Sequence, residues 1–126
     1  MKICISSTGD NLDSPVDPRF GRAKYFLIGE SKGENFEAIE NEATSMMRGA
    51  GILAAQTVAA KKVSAVITGN VGPNAYTALN SAGIKVYIGA LGKTAKKTLE
   101  EFNQGKLKEV KDATGPGFGP ARGMGK

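Results

Sequence analysis

Three short turns carry the residue types that could hold a small anion. Ser6-Ser-Thr-Gly9, Thr68-Gly-Asn-Val-Gly-Pro73 and Gly89-Ala-Leu-Gly-Lys-Thr94 are rich in glycine and hydroxyl groups, and each follows an apolar run of strand character. In open α/β sheets ligands gather at the carboxyl ends of parallel strands, where loops meet helix N-termini. Free backbone N–H groups at such helix starts favour negative charge. If the three turns share one rim, Ser7, Gly69, Asn70, Gly72, Lys93 and Thr94 are the ligand-binding candidates, with Lys93 reinforcing the charge. The plainer reading is that the glycines only permit tight β-to-α turns. Phe20-Gly21-Arg22-Ala23 adds a bulky anchor, a permissive glycine and a cation in succession. As ligand chemistry, Arg19 and Arg22 would clamp an anion from the flank; as architecture, Phe20 plugs the core and Arg22 caps a corner.

What the chain lacks bounds this chemistry. Its 126 residues include no histidine and one cysteine, which removes the His-dependent nucleophile relays, the His-Glu-x-x-His zinc site and the 2-His-1-carboxylate iron site. No Cys/His spacing suits structural zinc. Catalysis would have to come from carboxylates, Lys, Tyr, Ser/Thr or a borrowed cofactor, and no such constellation is found, so a non-enzymatic protein is expected. Two-metal nuclease chemistry needs carboxylates near the first strand, but Asp10, Asp13 and Asp17 stand at irregular spacing among turn formers and read as loop builders. Gly92-Lys93-Thr94 fails as a P-loop because the pattern requires glycine where Tyr87 stands. Gly49-Ala-Gly51 lacks the preceding strand and third glycine of a dinucleotide fingerprint and reads as the start of a helix. Cys4, between Ile3 and Ile5, reads first as a small core residue. Met46 and Met47 lie outside any clear apolar stripe; with Met124 their thioethers could meet a metal cluster or simply cover the hydrophobic base. Cys4, Met46 and Met47 are therefore the weak metal-ligand candidates.

The elements that must position these residues fit one domain, since autonomous domains cluster near ~100–150 residues. Strands are expected at Lys2–Ser6, Lys24–Ile28 and Asn35–Glu40, the last half exposed at a sheet edge, followed by two more at Val63–Thr68 and Ile84–Ile88. The Ala-rich stretch Arg48–Lys62 is a helix with Ile52, Leu53, Gln56, Ala59 and Ala60 at helical spacing. A second helix starts at Pro73 and stops at Gly83, and a third runs from about Thr94 to Gln104 with Ala95, Leu99 and Phe102 inward. Two helical crossovers make strands one, four and five parallel neighbours. The expected architecture is α/β, a ribonuclease H-like mixed five-stranded sheet of order 3-2-1-4-5 with three helices, spanning residues 1–112. Residues 113–126, with five of the 17 glycines and two prolines, are expected to form a flexible tail, a possible route to a protein partner.

The formal charge of +5 draws anions of any kind. With no Trp, three Tyr and five Phe, platforms for stacking bases are scarce, so nucleic acid is unfavoured. No run of ~18 apolar residues exists and no signal peptide is recognised, so no membrane partner is expected and the chain reads as cytoplasmic.

Four stretches together carry a resemblance: Val16-Asp-Pro-Arg-Phe-Gly-Arg-Ala-Lys-Tyr-Phe-Leu-Ile28, Gly49-Ala-Gly-Ile52, Val66-Ile-Thr-Gly-Asn-Val-Gly-Pro-Asn-Ala75 and Gly83-Ile-Lys-Val-Tyr87. The chain resembles the dinitrogenase iron–molybdenum cofactor biosynthesis family, which includes NifX and the C-terminal domain of NifB, and is similar to its small stand-alone members. The resemblance implies a ribonuclease H-like fold and a carrier role, without catalysis, for an iron–sulfur or iron–molybdenum-type cluster or its precursor. Members that carry the cofactor precursor commonly place a histidine just before the Phe-Gly element, where this chain has Arg19. That departure leaves a cluster to be met as an outer-sphere anion by Arg19, Arg22, Lys93 and helix N-termini. Two alternatives are a binding module for a phosphate-bearing small molecule and an interaction protein acting through its tail.

Overall fold

Side chains alternate across a strand, so each strand offers two sets of residues to two different partners. In β1 (Lys2–Ser7), Cys4 joins one apolar cluster while Ile3 and Ile5 join another. The same division runs through β2 (Tyr25–Glu30), where Phe26 and Ile28 oppose Leu27, and β4 (Ala65–Ile67), where Val66 opposes Ala65 and Ile67. Both faces of the central strands are therefore buried, which is why they read as nearly continuous apolar runs. The computed structural model describes residues 1–33, 35–46, 48–89 and 92–111. The tail at 113–126, with the partner contact expected of it, and Met47 lie outside these residues.

The remaining elements are β3 (Glu37–Glu40), a 3-10 turn (Glu42–Ser45), α1 (Ala50–Ala60), α2 (Pro73–Ser81), β5 (Lys85–Ile88), α3 (Ala95–Asn103) and β6 (Lys108–Val110). The sheet order is β3-β2-β1-β4-β5-β6. Strands β1, β4 and β5 are parallel, and the pairs β1–β2, β2–β3 and β5–β6 are antiparallel. The expected five-strand order is present but incomplete, because the sheet has six strands. The sixth was invisible in Lys106-Leu-Lys-Glu-Val-Lys111, where the two apolar residues are three apart and no alternation shows. It forms because α3 ends in a left-handed Gly105, with Lys106 N–H donating to Glu101 O at 2.9 Å, which turns the chain back along the open edge of β5. Val110 then pairs with Val86 and is buried.

Helices α1 and α2 cover one face through Ala54, Ala55, Val58, Ala75 and Leu79, and α3 covers the other through Ala95 and Leu99. Helix α2 begins at its proline and ends in a left-handed Gly83, with Ile84 N–H donating to Leu79 O at 3.0 Å. Helix α1 departs from expectation in phase. The residues that face the sheet are Ala50, Ala54, Ala55 and Val58, while Ile52 is 40% exposed and Gln56 and Ala60 are exposed. No charged residue lies between Arg48 and Lys61, so the apolar period has no polar face to set its phase. Size decides instead, with alanines giving the closer approach to the sheet. No helix among the described residues is long and apolar enough to cross a membrane.

Asn41, just ahead of the 3-10 turn, holds the passage from sheet to α1. Its buried carboxamide donates to Gly21 O at 3.1 Å and Ala23 O at 2.8 Å and accepts from Ala43 N–H at 3.0 Å. Asn41→Ala would leave two carbonyls without these donors, and chemical denaturation is expected to show a loss of about 2–3 kcal/mol.

Candidate functional site

Two helix starts and one loop meet at the carboxyl end of β4. The loop residues Asp17–Phe20 run beside Asn70: Asn70 N–H donates to Pro18 O at 2.8 Å, and Phe20 N–H donates to Asn70 O at 3.2 Å. Beneath them the Ser6 hydroxyl is buried, 2.7 Å from Asp17 O and 2.8 Å from Thr68 Oγ1, which ties the ends of β1 and β4 to the loop. Helix α1 enters from the other side through Gly49 at φ +77°, a conformation that glycine adopts without strain. The close approach rests on three small residues. A Cβ at Gly51 would stand 2.9 Å from the Ala75 Cβ, and one at Gly21 would stand 3.0 Å from the Gly51 Cα.

What these segments enclose is an open crevice of about 410 Å³ whose walls include Arg19, Arg22, Arg48, Gly49, Asn70 and Gly72. Neither helix start is closed by a capping side chain, since glycine holds both N-cap positions. The first intrahelical bonds come from Leu53 N–H to Gly49 O and Tyr76 N–H to Gly72 O. Hence the N–H groups of Ala50, Gly51 and Ile52, and of Asn74 and Ala75, have no acceptor among the described residues. Arg48 has no hydrogen bond or ion pair there either. Arg19 is mostly exposed, with its Nε 3.7 Å from the buried carboxylate of Asp17 and its backbone N–H donating to the same oxygen at 3.1 Å. Three guanidinium groups and two positive helix ends surround one opening, with no carboxylate on its wall among the described residues, an arrangement whose chemistry suits negative charge. Two smaller hollows, of about 230 Å³ beside Tyr76 and Glu109 and about 260 Å³ beside Leu12 and Phe36, combine no such features.

Of the sequence candidates, Arg19, Arg22, Asn70 and Gly72 are brought together here. Gly69 is buried beside Asn70 and does not line the crevice. Ser7, Lys93 and Thr94 do not line this crevice. The Ser7 hydroxyl is closed on its own turn, donating to Gly9 O at 2.7 Å and accepting from Gly9 N–H at 3.2 Å. Thr94 caps α3 by accepting from Lys97 N–H at 3.1 Å. Further N–H groups at the start of α3 are taken by the loop after β1, with Ala95 donating to Ser14 O at 2.9 Å and Lys96 to Leu12 O at 2.8 Å. Lys93 Nζ is engaged by Glu101. The reason lies in the layers: α3 covers the face of the sheet opposite α1 and α2.

Glu101 is held below the usual carboxylate range, first by the hydrogen bond from Lys93, with Lys97 and Lys106 adding attraction. A lowered folded-state value means stability present above the ordinary carboxylate range and lost as pH falls through the folded value. The melting-temperature difference between wild type and Glu101→Gln is accordingly expected to be largest near neutral pH and to close in acid.

Direct metal ligation has little to work with. No group of three or more His, Cys, Asp or Glu is placed to hold an ion among the described residues. Cys4 is fully buried in the α1/α2-side core, and burial pushes its thiol far above the ordinary value, so this candidate is a packing residue. Met46 is half-buried, and it is its backbone carbonyl, not its sulfur, that the Arg22 guanidinium engages. Sequence reasoning missed Arg48 and the start of α1 as site components. The clue was present in Arg48-Gly-Ala-Gly51, a helix start with a cation and no capping side chain.

Fold and crevice together define a small α/β protein that presents arginines and free helix N–H groups at the carboxyl end of a parallel strand. The chain belongs to the dinitrogenase iron–molybdenum cofactor family, which matches residues 1–105. It is 37% identical over 112 residues to an uncharacterised protein of Methanocaldococcus jannaschii, covering 86% of this chain and 91% of that one. Among solved structures it is similar to the apo form of the orange protein from Desulfovibrio gigas, at 35% identity and TM-score 0.87, covering 90% of this chain and 96% of the other. It is also similar to an NMR structure of a NifB-type protein from Thermotoga, at 36% identity and TM-score 0.79, covering 92% and 98%.

Proposed function

We propose that this protein is a non-enzymatic carrier that takes an anionic metal–sulfur cluster, or a precursor of one, as cargo in the crevice between α1 and α2. The observation that carries this reading is the convergence of Arg19, Arg22 and Arg48 on two uncapped helix starts. Family membership supplies the class of cargo. Since the described residues offer no ligand set of their own, the cargo keeps its own sulfide or thiolate ligands and is held by hydrogen bonds and charge. The volume of about 410 Å³ is within the ~300–1,000 Å³ of ordinary small-ligand pockets.

Thermal shift and visible spectroscopy under anaerobic conditions test this with three probes: an iron–sulfur cluster donor, tetrathiomolybdate and inorganic phosphate. A chromophore retained through gel filtration supports the carrier reading, and its absence with both metal–sulfur probes counts against it. At a hundred times Kd a bound probe stabilises by about 2.7 kcal/mol, a rise in melting temperature of roughly 10 °C for a domain of this size. Stabilisation by phosphate alone would assign the same crevice to a phosphate-bearing small molecule.

A further inference from the structure

Arg22 stands where the crevice borders the segment leading into α1. Its Nη1 donates to two backbone carbonyls of that segment, Thr44 O at 3.0 Å and Met46 O. From the opposite direction Asn41 donates to the carbonyls of Gly21 and Ala23, the residues on either side of Arg22. Residues 21–23 and 41–46 therefore grip each other reciprocally, and Arg48 and the free N–H groups of α1 follow a few residues along the chain. A guanidinium is a rigid planar fork with five N–H donors, so one nitrogen can be committed to carbonyls while the rest of the fork faces a ligand. An ammonium is a point charge on a flexible stem and cannot hold both directions at fixed geometry.

Resting on the anion-site reading above, we infer that Arg22 is a positioning residue: it fixes the 44–46 segment, and through it Arg48 and the start of α1, at the separation at which they act on the bound anion. Its geometry contributes more than its charge. Arg48, with no partner among the described residues, contributes mainly charge.

Charge-conserving substitutions in the full chain separate these roles. Arg22→Lys is expected to weaken binding of whichever probe the wild type holds, tetrathiomolybdate or inorganic phosphate, by about tenfold, whereas Arg48→Lys weakens it threefold or less. In the Arg22→Lys background the further loss from Arg48→Ala is expected to shrink, since Arg48 is then already misplaced. Amide hydrogen exchange gives a readout that a merely structural role would not move. Met46 N–H donates to Ala43 O at 3.0 Å, and the bound probe should slow its exchange in wild type but not in Arg22→Lys. Binding by Arg22→Lys within threefold of wild type, or strict additivity with Arg48→Ala, overturns the positioning role while leaving the anion site standing. Failure of the wild type to bind any of the three probes, the cluster from the iron–sulfur donor, tetrathiomolybdate or phosphate, removes the anion site, and the positioning role with it.

Discussion

Arg19→Ala combined with Arg48→Ala lowers affinity for the crevice anion by about a hundredfold or more while leaving the fold intact. A charge-assisted hydrogen bond contributes about 1.5–3 kcal/mol, so losing two removes at least about 3 kcal/mol, and each 1.4 kcal/mol is a factor of ten in Kd. These two side chains suit the test because neither holds the structure together. Arg48 is unpartnered among the described residues and Arg19 makes one long contact of 3.7 Å to Asp17. Arg22 is left in place because it also grips the Thr44–Met46 backbone. Isothermal titration with the probe selected by thermal shift measures the loss, and thermal denaturation checks that stability moves by no more than about 0.5 kcal/mol. Unchanged affinity in the double variant would remove the crevice as the anion site. Wild-type affinity should also fall with added salt, since exposed guanidinium groups are screened over about 10 Å at 0.1 M.

The second large effect falls on the small-residue contact beneath the crevice. Gly51→Val places a Cβ 2.9 Å from the Ala75 Cβ, closer than two carbons tolerate, and adds two methyl groups to it. Ala75 sits in the core on α2 and cannot swing away, so the helices must part. Overpacking of this kind costs about 1–3 kcal/mol, set against a few tenths regained because valine is a better helix former than glycine. A net loss of about 2 kcal/mol, or roughly 8 °C in melting temperature, is expected. Because the same displacement separates the free N–H groups of α1 from those of α2, probe affinity should fall as well. A Gly51→Val protein with wild-type melting and binding would show that the approach of the two helix starts does not matter.

Local chemistry made much of the architecture legible. Pro73 and Gly83 mark the ends of α2 because a proline cannot donate from the first turn and a glycine accepts the left-handed conformation beyond the last. Nearly continuous apolar runs marked the central strands, and the crossovers correctly made β1, β4 and β5 parallel neighbours. Helix α1 kept its place but lost its phase, for want of charges to label an outer face. Strand β6 stayed hidden because a three-residue charged edge strand is specified by the open edge of β5 more than by its own pattern.

The residues able to meet an anion were set by type and neighbourhood in the chain: arginines around Phe20-Gly21, and glycines where helices begin without caps. Which of them meet was decided by tertiary structure alone. Lys93 and Thr94 looked equivalent to Asn70 and Gly72 in local chemistry, yet α3 packs on the opposite side of the sheet and the loop after β1 uses up N–H groups at its start. Arg48, which the sequence marked only as the start of a helix, joins the crevice because Gly21, Gly51 and Ala75 let three distant backbones come within contact. Local periodicity encodes what faces a core, but convergence between segments dozens of residues apart depends on packing that no single stretch of chain contains.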